Sequence, residues 1–198
     1  MWASFIAAFL CGIITIMVPG YFIGRALFSN PLQAIAFSPT ASVALFIVVG
    51  LIAYPISMSS LHFYLLVLLL SLMFFMLFKK TRATPTIDQY LTLSTYMLVG
   101  TILTVSIFLR NIDGPASYSV QTDTTFHLSC AKAMLDSGRY SILHASEYPD
   151  LMNAGQGIFY PAAWHIITAV ASDLSKTNIV IAHNAINFII CSCVYPLS

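Results

Sequence analysis

Leu61-His-Phe-Tyr-Leu-Leu-Val-Leu-Leu-Leu-Ser-Leu-Met-Phe-Phe-Met-Leu-Phe78 runs directly into Lys79-Lys80-Thr81-Arg82. An uncharged apolar stretch of this length is what a helix needs to cross about 30 Å of hydrocarbon. The basic cluster behind it supplies a direction, because short loops rich in lysine and arginine stay in the cytoplasm. This one segment therefore predicts a membrane helix and the side on which it ends.

The rest of the chain agrees with that reading. Hydrophobic residues make up 59% of it, charged residues only 8%, and the mean hydropathy is +0.86. Soluble domains carry roughly 25% charge, so an ordinary water-soluble fold is excluded. A net charge of +1 with scattered basic residues leaves no patch for nucleic acid. The first apolar segment has no basic n-region, so it reads as a span and not as a cleavable signal peptide. Cys11, Cys130, Cys191 and Cys193 form no visible disulfide framework, and Cys191 and Cys193 read as small packing residues.

The sequence predicts an all-α, polytopic transmembrane bundle of about six spans. They run approximately over 3–23, 40–57, 61–78, 91–109, 159–171 and 178–197. Pro39 brackets the second span, and the fifth is short. Three regions follow: four helices in 1–110, an insert at 111–158 with a short amphipathic helix near 123–137, and two further helices in 159–198. Alternation from the basic loop puts Arg25 and Lys176 in the cytoplasm, with five of the eight basic side chains. It puts the amino terminus and residues 111–158 outside, in a multi-pass protein of the cell membrane. The apolar run stops near Ser198 without a polar tail, so the chain is expected to be the front part of a longer protein or a truncated copy.

The insert holds the chemistry. Thr122 suits an N-cap and Gly138 a C′ position, with Phe126, Cys130, Ala133 and Met134 on one apolar face. Asp123 and His127 are four apart and share a face. Each also has a plain structural use: an acid in the first turn favours the helix dipole, and an interfacial histidine can be satisfied by neighbours. The stretch 140–157 has turn chemistry and the length of a functional loop. Tyr160, Pro161, Trp164 and His165 follow it; the aromatics suit the interface, and an ionisable His165 just below it must face the bundle or a wet cavity. His183 and Asn187 share a face of the last span, where helix-to-helix hydrogen bonding is the expected use. With no HExxH and no paired CxxC, no metal ligands and no cofactor are assigned, although a divalent ion is left open.

Asp123-x-x-Phe126-His127-Leu128, followed by Tyr160-Pro161-x-x-Trp164-His165, resembles a family of uncharacterised bacterial polytopic membrane proteins that looks related to the GT-C glycosyltransferases. The resemblance covers roughly residues 90–175. It implies a GT-C-like, partial fold with its chemistry on the outer face and a polyprenyl-phosphate-linked sugar as donor. Asp123 matches the acid that acts on the acceptor, with Asp113 as a rival. His127, His165, Tyr160, Trp164, Arg110 and Arg139 are the candidates for substrate contact. GT-C enzymes have about twice as many spans, which leaves two alternatives: a non-enzymatic carrier or assembly partner in the envelope, or an inactive fragment. The expected partners are the bilayer, the lipid-linked sugar and other envelope-assembly membrane proteins.

Overall fold

The computed structural model describes residues 1–78, 83–118, 122–141, 143, 162–194 and 196, with backbone only for Thr122 and Asp123. The described residues form helices: α1 (Trp2–Leu27), α2 (Pro31–Ile52), α3 (Ser60–Phe78), α4 (Ile87–Asn111), α5 (Thr122–Ser137), α6 (Ala163–Ser175) and α7 (Ile179–Ile189), the last continued by a π-helical turn, Ile190–Val194. Helices α1 to α4 are each long and apolar enough to cross a bilayer. The chain is a multi-pass helical membrane protein.

Local chemistry explains the boundaries. Asn30 caps α2 through the Leu32 amide with Pro31 behind it, and Thr86 and Gln89 form a capping box on α4. Pro39 lies inside α2 and does not bracket it as the sequence suggested. A proline removes the amide that would bond four residues back, here the Ile35 carbonyl. The Ser38 hydroxyl donates to that carbonyl at 2.7 Å and fills the gap. Gly138 takes φ +66 and ends α5, its amide bonded to the Met134 carbonyl.

Helices α1 and α2 approach closely through small residues. Gly20 faces the Ser38 backbone, and its amide donates to Ser42 Oγ at 2.7 Å. In hydrocarbon, contact between helices rests on such packing and hydrogen bonds, because lipid is as apolar as the side chains.

Two ends of the bundle can be distinguished. At one, Arg25 donates to the Ser29 carbonyl, the Ala83 amide bonds the same carbonyl, and Asn30 meets Gln89. The α1–α2 turn and the start of α4 thus share an end, as alternation requires; Lys79, Lys80 and Arg82 lie outside the described residues. At the other end, the α2–α3 connection meets the end of α5: Ser57 Oγ donates to the Ser137 carbonyl and the Met58 amide to that of Gly138.

The last helices differ from the two crossings expected over 159–171 and 178–197. Helix α6 has 13 residues, about 20 Å, and meets α7 at a bend of 118°. Its start lies half-way down the bundle, where Trp164 lines a cavity of about 400 Å³ with Ile16 of α1, Thr40 and Val43 of α2 and Ile186 of α7. Its end lies at the α5 end, where Asp173 is held by Lys176 and also reaches Ser60. Lys176 therefore sits opposite Arg25, not beside it. Helix α7 then descends along α1, with Ile181 and Ala182 against Phe5 and Ala8, and Ile186 and Ile189 against Gly12. A polar turn returns α6 to the end it would have left had it spanned.

Helix α5 is amphipathic as its spacing predicts, with Cys130, Ala133 and Met134 buried. Burial pushes the Cys130 thiol up to about 11, whereas Cys191 is exposed. A maleimide at neutral pH is expected to leave Cys130 unmodified until detergent denatures the protein. Rapid native labelling of Cys130, read by mass spectrometry, would show that α5 does not pack as described.

Candidate functional site: a polar cleft beside a histidine pair

Helices α5, α6 and α7 meet around the start of α6, in the half of the bundle nearer the α5 end. His127 Nδ1 of α5 lies 2.8 Å from His165 Nε2 of α6. Their hydrogen bond requires one protonated and one bare nitrogen, so the two rings share a single proton on the facing side. His165 is buried and His127 half-buried. The indole of Trp164 stands edge-on to both rings and to His183, with centroids 5.9, 5.1 and 4.8 Å away.

A second polar chain joins α6 to α7. Trp164 Nε1 donates to Asn187 Oδ1 at 3.1 Å, and Asn187 Nδ2 is 3.0 Å from His183 Nε2. An indole can only donate, which fixes the oxygen of the Asn187 amide toward it. The amide nitrogen must then donate to His183 Nε2, and a neutral His183 carries its proton on Nδ1. That Nδ1 is buried with no hydrogen-bond partner. Leaving such a donor unmade costs about 1–3 kcal/mol, which calls for a compensating use.

Next to this chain lies a cleft of about 340 Å³, lined by Asp113, Ser117, Tyr118, Thr124, His183 and Asn184 among others. Its wall after α4 is held by one side chain: Asn184 Nδ2 donates to the carbonyls of Pro115 at 3.0 Å and Ser117 at 2.9 Å. The segment that carries Asp113 is thereby fixed to α7, 69 residues away from it in the case of Pro115. Ser117 turns back on Gly114 through a hydrogen bond in each direction, which shapes the same wall.

The structure brings His127, His165 and Trp164 together and puts Asp113 at the neighbouring cleft. Asp123 is in the first turn of α5, one residue before the cleft-lining Thr124; its side chain lies outside the described residues, as do Tyr160 and Pro161. Arg110 is exposed in the last turn of α4. Arg139 is exposed beyond the far end of α5, roughly 20 Å along that helix from Thr124, so it does not join this cleft. His183, Asn184 and Asn187 are additions. Their polarity in an apolar run was the signal, but only the fold shows that Asn184 clamps a loop and Asn187 orients a histidine. Among the described residues no group of three histidine, cysteine or acidic side chains could hold a metal ion.

The sequence model of DUF6541, a family of unknown function, matches residues 13–198. The chain belongs to that family. No protein of curated function and no solved structure matches it. The match extends across α2 to α7 and most of α1, so the histidine pair and the cleft both lie within the DUF6541 region.

Proposed function

We propose that this DUF6541 protein is a membrane glycosyltransferase, or the amino-terminal part of one, that moves a sugar from a polyprenyl-phosphate donor to an envelope glycan on the external face. The observation that supports it is the polar cleft with a carboxylate, Asp113, at one end of an apolar bundle, beside the His127–His165 pair. A lipid-linked donor keeps its tail in the bilayer and its sugar at the boundary, and this cleft adjoins the last turn of α4, a helix long enough to cross. The resemblance of the Asp123-x-x-Phe126-His127 and Tyr160-Pro161-x-x-Trp164-His165 motifs to GT-C relatives points the same way.

In the reaction, an acceptor hydroxyl attacks the anomeric carbon, the bond from that carbon to the phosphate oxygen breaks, and phosphate leaves on the lipid. A carboxylate takes the hydroxyl proton; Asp123 is assigned this role, with Asp113 beside the acceptor. Developing charge on the leaving phosphate needs donors, for which His127, His165 and Arg110 are the available groups. With the α5 end outside, the Arg25 end and the basic 79–82 loop face the cytoplasm.

A carrier of lipid-linked glycans is the second reading. Its supporting observation is α6, which starts at mid-depth beside an apolar cavity, as broken helices do in transporters. Membranes containing the protein, given labelled polyprenyl-phosphate sugar, are expected to lose label to a glycan product. Movement of the intact sugar-lipid between the leaflets of liposomes, without its consumption, would replace the enzyme with the carrier.

A further inference from the structure

We infer that the cavity where α1, α2, α6 and α7 meet is a binding site for one acyl chain of a bilayer phospholipid. Its floor is Ile16 of α1 and Ile167 of α6, both buried. Half-buried Val43 of α2, Trp164 of α6 and Val194 of the π-helical turn form its walls, and exposed Thr40 stands at its mouth. Ile16 and Thr40 lie near the middles of two helices that are long enough to cross, so the cavity sits at mid-depth in the bilayer. The phase that reaches its mouth there is hydrocarbon.

The lining decides against water. A buried water needs about two to four polar partners. The lining side chains offer the Thr40 hydroxyl alone, because the Trp164 indole N–H is spent on Asn187 Oδ1. Left empty, a space of about 400 Å³ would forfeit dispersion contacts along every wall. A methylene group takes roughly the room of a water molecule, about 30 Å³, so the space holds about a dozen carbons, most of one chain. The π-helical turn adds a second sign of use, since such turns are rare and recur at functional sites.

Trp164 ties this cavity to the polar site. Its indole lines the cavity, stands edge-on to His127, His165 and His183, and donates to Asn187. A chain in the cavity therefore backs the ring that orients the Asn187 amide, which makes Trp164 a positioning residue. The inference is independent of the transferase and carrier readings: the chain is a resident part of the fold, whereas a carrier's cargo passes through.

Trp2 and Trp164 are the two tryptophans, so Trp2→Phe leaves Trp164 as the single reporter. The full chain with that change is placed in nanodiscs of phosphatidylcholine brominated at mid-chain, mixed in steps with the unbrominated lipid. Bromine quenches indole emission on contact. Trp164 emission is expected to fall by more than half, in proportion to the brominated fraction, as a single site requires. Acrylamide in the water is expected to quench it little. Val43→Phe, which fills the cavity from α2, is expected to remove most of the bromine quenching. Absence of bromine quenching, or the steep early fall that several surface contacts produce, overturns the inference. So does strong quenching by acrylamide, or full bromine quenching in a folded Val43→Phe protein. The curves without that substitution stand even if the variant fails to fold. Recovery of emission on adding a few polyprenyl phosphate molecules per disc would put an isoprenoid in the cavity and overturn the acyl-chain assignment.

Discussion

Asp123→Asn is expected to lower sugar transfer by about 10²–10⁴-fold, the usual worth of a positioned general base. Asparagine preserves the shape of the side chain and the first turn of α5, while it removes the group that accepts a proton. Binding of a methyl glycoside should survive, because Asp123 is assigned to the chemical step. Asp113→Asn should behave differently: its carboxylate lines the cleft, so binding and turnover fall together. The measurement is conversion of labelled polyprenyl-phosphate sugar by membranes with equal amounts of each inserted variant. Wild-type turnover in Asp123→Asn would remove that residue from the mechanism. Lost turnover with intact binding in Asp113→Asn would move the base to Asp113. The pairing matters because Asp113 follows the end of α4 and Asp123 lies in the first turn of α5, ten residues apart in sequence, and charge alone does not separate their roles.

Gly20→Val is expected to cost most of the folded protein. A Cβ at this position would run into the Ser38 carbonyl and crowd the Ser42 amide nitrogen at 2.8 Å. Both obstacles are backbone, so no rotamer change relieves them and α1 must move away from α2. Overpacking typically costs about 1–3 kcal/mol, more where the neighbours cannot yield. Separation also strains the bond from the Gly20 amide to Ser42 Oγ, which follows Pro19 in a helix already missing one amide. Against a total stability of roughly 5–15 kcal/mol this is a large fraction. Gly20→Ala should shift in the same direction by less, and Ile6→Val, at an exposed position of the same helix, should do nothing. Thermal unfolding and size-exclusion profiles in one detergent provide the comparison. An unchanged melting temperature in Gly20→Val would show that α1 and α2 do not pack through this contact.

Much of the helix plan was legible in the chain because hydrocarbon imposes a length and a composition. The stretch 61–78 appears as α3 almost to the residue, and α5 begins at Thr122 and ends before Gly138. Where the reading failed, a local rule was overridden by a neighbouring side chain. Pro39 did not bracket a span, since Ser38 takes over the orphaned carbonyl. Lys176 did not join the Arg25 end, since one lysine in a tight turn carries little topological weight beside its contact with Asp173. The 13 residues of α6 already looked too short to cross, yet hydropathy has no means to distinguish a tilted span from a helix that starts half-way down.

By itself the sequence determined a membrane bundle, the alternation of its first helices, and the polar segment in which most of its acids are gathered. Those properties follow from transfer into lipid, a cost summed residue by residue along the chain. Only the tertiary structure decided which polar groups meet. His127 reaches His165 across 38 residues, Asn187 reaches Trp164 across 23, and Asn184 pins a loop 69 residues away. Such pairings depend on how α5, α6 and α7 cross, and the bend between α6 and α7 has no periodic signature in the sequence. The proton on His183 belongs to that second class: it is set by the direction of an amide on its own helix, and that amide is oriented by an indole on another.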